Sequence, residues 1–285
     1  MASIFDSFVR QHDYLVCVDS DGCAMDTMNC KHIHCFGPCM VDQWQLDQWK
    51  DEILKRWNDI NLFQMTRGIN RFKGLAMALG EIHEKYTPIE GIEALQNWAE
   101  HAPALSNDAV AAAAAACEDP AGKKCLEKAL SWSKAVNVSI VALPEEVKIP
   151  FVGAKEGLAQ AHTFADVAVV SSANRDAVEE EWTNHKLLDH VDILLAQDCG
   201  SKAHCISEML KFGYDPQKVL MVGDAPGDKD AADKNGVFYY PILVNREQES
   251  WENLQKEALA RLEQGTYAGA YQEARNREFL ENLGG

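Results

Sequence analysis

The spacing of apolar residues changes character twice along the chain. Residues 3–12 place Ile4, Phe5 and Phe8 on one side of a short predicted helix. Residues 14–18 are a nearly continuous apolar run, Tyr14-Leu15-Val16-Cys17-Val18, which ends in Asp19-Ser20-Asp21-Gly22. Such a run predicts a strand covered on both faces, as in a parallel sheet. Residues 22–42 predict an irregular segment broken at Gly37-Pro38. The period then becomes helical over 47–61, 69–86, 88–101 and 123–137. A further helix through the alanine run 111–116 would be capped by Ser106 or Asn107. Nothing in this stretch predicts a strand.

Beyond Pro144 and Pro150, which bracket a linker, strands and helices alternate. Predicted strands are 167–170, ending in Ser171-Ser172, then 191–195, then 219–222, ending in Gly223-Asp224, and 237–240. Predicted helices are 153–162, 176–185, 201–212 with Ser201 as cap, and 228–235 closed by Gly236. Residues 247–282 are helical and charged. The expected fold class is α/β: a three-layer, Rossmann-like parallel-sheet core interrupted by an all-helical insert. The core would comprise 1–30 and 146–285, and the insert 31–145.

Composition narrows the function classes. Of 285 residues, 47% are hydrophobic and 25% charged, as in an ordinary globular protein. The net charge of −17 argues against a nucleic-acid partner, which needs a basic footprint. It leaves small phosphorylated molecules open, because a local site can carry a cation. The first residues lack a basic, then apolar, export pattern, and no apolar run has the length of a membrane span. With nine cysteines, an odd number, the expectation is a cytoplasmic chain with reduced thiols and no membrane partner.

Polar residues stand where the strands end. Asp19 and Asp21 follow the first, Ser171 the second, and Asp224 and Asp228 the fourth, while Lys202 opens the helix after the third. In a parallel sheet these ends share one edge, where such sheets hold ligands. Four carboxylates gathered there repel one another unless a cation neutralises them, and Mg²⁺ suits oxygen donors. A serine hydroxyl and a lysine ammonium beside that ion make a phosphate pocket. Taken singly, each residue has a plainer reading: Asp-x-Asp-Gly as a solvated turn, Lys202 as a surface lysine, Asp228 as a helix cap, and Ser172 in place of Ser171.

Asp19-Ser20-Asp21-Gly22, the strand ending in Ser171, Lys202, and Gly223-Asp224-Ala225-Pro226-Gly227-Asp228 together resemble, in order, the four motifs of the haloacid dehalogenase superfamily. The resemblance covers 14–30 and about 148–245, and the helical insert sits where the family's type C1 cap lies. It implies Asp19 as nucleophile, Asp21 as general acid and base, Ser171, Ser172 and Lys202 around the phosphoryl group, and Mg²⁺ held by Asp19, the Asp21 carbonyl, Asp224 and Asp228. Cys23 departs from the family's usual threonine or serine. Asp21 selects the reaction: an alkoxide leaving group needs a proton and a halide does not. The resemblance therefore implies a phosphatase acting on a small phosphorylated metabolite. A phosphomutase, or a non-catalytic binding protein on the same scaffold, is the alternative.

The insert carries two further groups. Arg67 and Arg71, with Lys73 nearby, would share a helix face and meet an anionic substrate, if the helix begins that early; they also suit a solvated helix end. Cys30, His32, His34, Cys35 and Cys39 cluster without the spacing of a zinc site and fit a hinge or pocket wall better.

Overall fold

The structure is a computed structural model, and it describes residues 4–285. It divides into two compact units: the described residues up to Met28 together with Glu145–Gly285, and Asn29–Pro144.

The first unit is built on a five-stranded sheet, all pairs parallel, in the order β3-β2-β1-β4-β5. The strands are β1 (Tyr14–Val18), β2 (Ala165–Val170), β3 (Ile193–Leu195), β4 (Val219–Gly223) and β5 (Phe238–Pro241). β1 is central, with Val18 opposite Val169 of β2 and Val222 of β4. Side chains alternate between faces. Val16, Val18, Val167, Val169, Leu220 and Val222 enter one core with Leu158, Trp182 and Trp251 from the helices. Leu15, Cys17 and Met221, on the other face, are equally buried. Burial on both faces explains why these strands read as unbroken apolar runs.

β2 begins earlier than its apolar run suggests, because it includes a buried charge. Asp166 is fully buried. It accepts from the backbone N–H groups of Gln11 (3.1 Å) and His12 (3.0 Å) and from the Tyr214 hydroxyl. Those bonds also correct the reading of 3–12 as a helix. Only Ile4–Ser7 forms a single 3₁₀ turn, and the N–H groups that would continue it are taken by Asp166. Ser3, where the predicted helix began, lies outside the described residues.

The second unit is helical: Gly37–Trp44, Lys50–Asn58, Arg71–Lys85, Ile92–His101, Asn107–Ala116 and Pro120–Val141. Its centre holds Trp57 and Trp132, with ring centroids 6.0 Å apart and nearly perpendicular, alongside Phe72. Ser106 caps the alanine-rich helix by accepting from the Ala109 N–H. The segment predicted to be irregular is helical from Thr27 to Trp44, and Gly37-Pro38 does not break it. A π-helical turn, His32–Phe36, precedes Pro38, and the Gly37 N–H reaches back five residues to the His32 carbonyl. The wider turn accommodates a proline, which has no N–H to give. Gly37 serves packing: a Cβ there would lie 2.8 Å from Leu54 Cδ2. Among the described residues, no helix is long and apolar enough to cross a membrane.

Candidate active site

β1, β2 and β4 end side by side, so Asp19, Ser171 and Asp224 emerge at one edge of the sheet. The Asp19 N–H still bonds the Val222 carbonyl (3.0 Å), which fixes its backbone as an extension of β1. The loop then folds on itself. The Ser20 carbonyl accepts from the N–H groups of Cys23, Ala24 and Met25, and Gly22 takes φ = 85°, a conformation suited to glycine. Asp21 is half-buried, and the buried Thr27 hydroxyl donates to its Oδ1.

Asp228 arrives from the helix Pro226–Asn235. Its Oδ2 accepts from the N–H groups of Asp224 (3.1 Å) and Ala225 (3.0 Å), a carboxylate reaching back to the start of its own helix. Gly223 makes room for it: a Cβ there would lie 2.4 Å from Asp228 Cβ. Lys202 opens the helix Lys202–Leu210, which Ser201 caps by accepting from the His204 N–H. Lys202 Nζ stands 2.8 Å from Asp19 Oδ2 and 2.5 Å from Asp228 Oδ1. The carboxylates of Asp19, Asp224 and Asp228, all buried, have oxygens within 4.8 Å of one another.

The electrostatics follow from three carboxylates and one ammonium in a buried space. Burial raises the proton affinity of Asp19 well above the usual carboxylate range; Asp228 and Asp224 add to this, and Lys202 opposes it. Burial works against the charge of Lys202, but Asp19 and Asp228 outweigh it and hold the ammonium above its ordinary value. Oxygen donors in negative excess fit a hard divalent cation such as Mg²⁺. Cys23 is fully buried, donates to the Val222 carbonyl (3.5 Å), and has its thiol pushed well up by burial and then by Asp224 and Asp19. It is a thiol that packs, not a thiolate.

A family model described as haloacid dehalogenase-like hydrolase matches residues 122–241. Within that span lie Ser171, Lys202, Asp224 and Asp228, the residues that meet Asp19 at the sheet edge. That span, about two-fifths of the chain, is similar to the haloacid dehalogenase-like hydrolases. The matched span does not include the Asp19–Gly22 loop, which joins the site through β1. No curated protein matches the chain in sequence. Three solved structures similar to this chain are a haloacid dehalogenase-like hydrolase from Streptococcus pneumoniae, a predicted phosphoglycolate phosphatase from Haemophilus somnus, and CbbY from Rhodobacter sphaeroides in complex with phosphate. The first is 13% identical, covering 86% of this chain and 91% of that one, with a TM-score of 0.43. The second is 16% identical over 80% and 84%, TM-score 0.42, and the third 13% identical over 81% and 87%, TM-score 0.44.

Ser171 is buried, with its hydroxyl accepting from the Ala173 N–H (3.2 Å), whereas Ser172 is exposed. In the helical unit the expected shared face of Arg67 and Arg71 does not form. The helix starts at Arg71 behind the Asn70 cap, and Arg67 lies in the preceding turn, buried and donating to the Leu62 carbonyl. Arg71 donates to Ser133 Oγ (3.1 Å) and Asn137 Oδ1 (2.7 Å) and stacks over Phe36. Of the cysteine and histidine cluster, His32 stacks on Phe36, Cys35 is buried and His34 exposed, all along one helical run. Thr27 has no signal in the sequence that sets it apart, because its tie to Asp21 depends on how the loop closes.

Proposed function

We propose that this protein is a Mg²⁺-dependent phosphatase that hydrolyses a small phosphorylated metabolite through an aspartyl-phosphate on Asp19. The observation that carries the reading is the Asp19–Lys202–Asp228 bridge beside Asp224, with Asp21 two residues from Asp19 on a tightly folded loop.

An Asp19 carboxylate oxygen attacks phosphorus as the P–O bond to the substrate's alcohol breaks. Asp21, oriented by Thr27, gives its proton to the departing alkoxide, then takes one from the water that cleaves the acyl phosphate. Lys202 and Ser171 hold the phosphoryl oxygens, with the more exposed Ser172 at the rim, and Lys202 also offsets the charge on Asp19. Asp19, the Asp21 carbonyl, Asp224 and Asp228 would hold Mg²⁺, which would supply charge neutralisation for the phosphoryl oxygens.

The helical unit is read as the cap, with the core formed by 1–30 and 146–285. Arg71, tied to Ser133 and Asn137, and the buried Arg67, tied to the Leu62 carbonyl, are assigned to packing within the helical unit. A cytoplasmic location with reduced thiols is part of the proposal. Release of inorganic phosphate from an aryl phosphate, assayed with Mg²⁺ and with chelator, tests the proposal. Turnover only with the metal supports it. No turnover of any phosphoester in a broad panel with Mg²⁺ present overturns it.

A further inference from the structure

Ser20, between the two aspartates, is fully buried, and its hydroxyl accepts from the Trp182 indole N–H at 2.8 Å. From this geometry we infer that Trp182 is a positioning residue for the reaction: it holds the loop that presents Asp19 and Asp21. The inference rests on the phosphatase reading above.

A hydroxyl at a fully buried position is costly unless it is hydrogen-bonded, and here Trp182, itself fully buried, supplies the partner. With the Ser20 carbonyl already accepting from Cys23, Ala24 and Met25, both oxygens of this residue are committed. The next turn of the loop is held by a second indole, Trp251, which donates to the Cys23 carbonyl (2.9 Å).

Trp182 is also carried by a well-anchored element. Its helix, Arg175–Asn184, follows the strand end that bears Ser171. Asn174 caps it, while Arg175 binds the Leu194 carbonyl (3.0 Å) and pairs with both oxygens of Asp198 (2.7 and 2.9 Å). The indole therefore couples the segment after Ser171 to the loop of Asp19 and Asp21, fixing the spacing between the phosphoryl-holding and attacking groups. Trp182 has no role in bond making; it acts through Ser20.

The test is a double-mutant cycle of Ser20→Ala and Trp182→Phe, with kcat, KM and thermal midpoint measured on an aryl phosphate with Mg²⁺. Ser20→Ala removes the acceptor with little loss of volume, so it stays informative if Trp182→Phe fails to fold. The expected result is a kcat about tenfold lower in each single variant, KM within about twofold, and a double variant no worse than the weaker single one. An unchanged kcat in Ser20→Ala, or losses that multiply, overturns the inference while wild-type turnover keeps the phosphatase reading intact. If wild-type protein turns over no phosphoester, that reading fails first. Exchange of the Trp182 indole proton, followed by NMR, then decides the anchor: faster exchange in Ser20→Ala supports it, and unchanged exchange overturns it.

Discussion

Replacing Lys202 by methionine keeps the length of the side chain and removes its charge. The side chain is 15% exposed, and its ammonium touches Asp19 and Asp228, whose side chains are 7% and 0% exposed. Removing one partner of a buried ion pair strands the other charge, at about 3–5 kcal/mol. In a unit of this size that corresponds to a thermal midpoint lower by about 6–20 °C. The loss should be greatest in chelator, where no cation replaces the ammonium. Asp228→Asn offers an internal control, because its amide oxygen still accepts from the Asp224 and Ala225 N–H groups. It should destabilise the wild type, by leaving Lys202 with one partner, and stabilise Lys202→Met. Urea or thermal denaturation of the four proteins measures both signs. A midpoint unchanged in Lys202→Met, or Asp228→Asn acting equally in both backgrounds, refutes the claim that this ammonium holds the carboxylates together.

Other expectations follow from single contacts. Gly223→Ala places a Cβ against Asp228 and should weaken Mg²⁺ binding and lower kcat at least tenfold, read by metal titration of activity. Asp166→Ala strips the Gln11 and His12 N–H groups and the Tyr214 hydroxyl of their acceptor at the far end of β2. It should cost about 3 kcal/mol in denaturation without changing kcat per folded molecule. A carboxyl whose proton affinity rises on folding, as for Asp19, stabilises the fold fully below the unfolded value of about 3.9, and that contribution is lost as pH climbs through the raised folded value. Metal-free protein should therefore lose stability as pH rises above the unfolded value, and Mg²⁺ at about 100 times its Kd should add about 2.7 kcal/mol where Asp19 is ionised. Denaturation curves over a pH series, with and without metal, check the sign.

The sheet was legible because its strands are buried on both faces: β1 and β4 carry runs that polarity interrupts only at their C-terminal ends. Asp19, Ser171, Lys202, Asp224 and Asp228 were readable for the same reason, each standing where an apolar run stops or a capped helix begins. What failed depends on partners distant in sequence or on local backbone geometry that residue spacing does not reveal. Nothing near Gln11 announces Asp166, and nothing in Gly37-Pro38 announces the π turn that lets a helix pass through proline. Arg67 and Arg71 have helical spacing, yet the Asn70 cap falls between them. Thr27, Trp182 and Trp251 look like ordinary helix residues until the Asp19–Gly22 loop folds onto them.

Acid quench during turnover of an aryl phosphate, followed by mass mapping, tests the central claim most directly. The account predicts one hydroxylamine-sensitive phosphoryl group on the peptide carrying Asp19, absent from Asp19→Asn. A phosphoryl group on another residue, or steady turnover by Asp19→Asn, would contradict it.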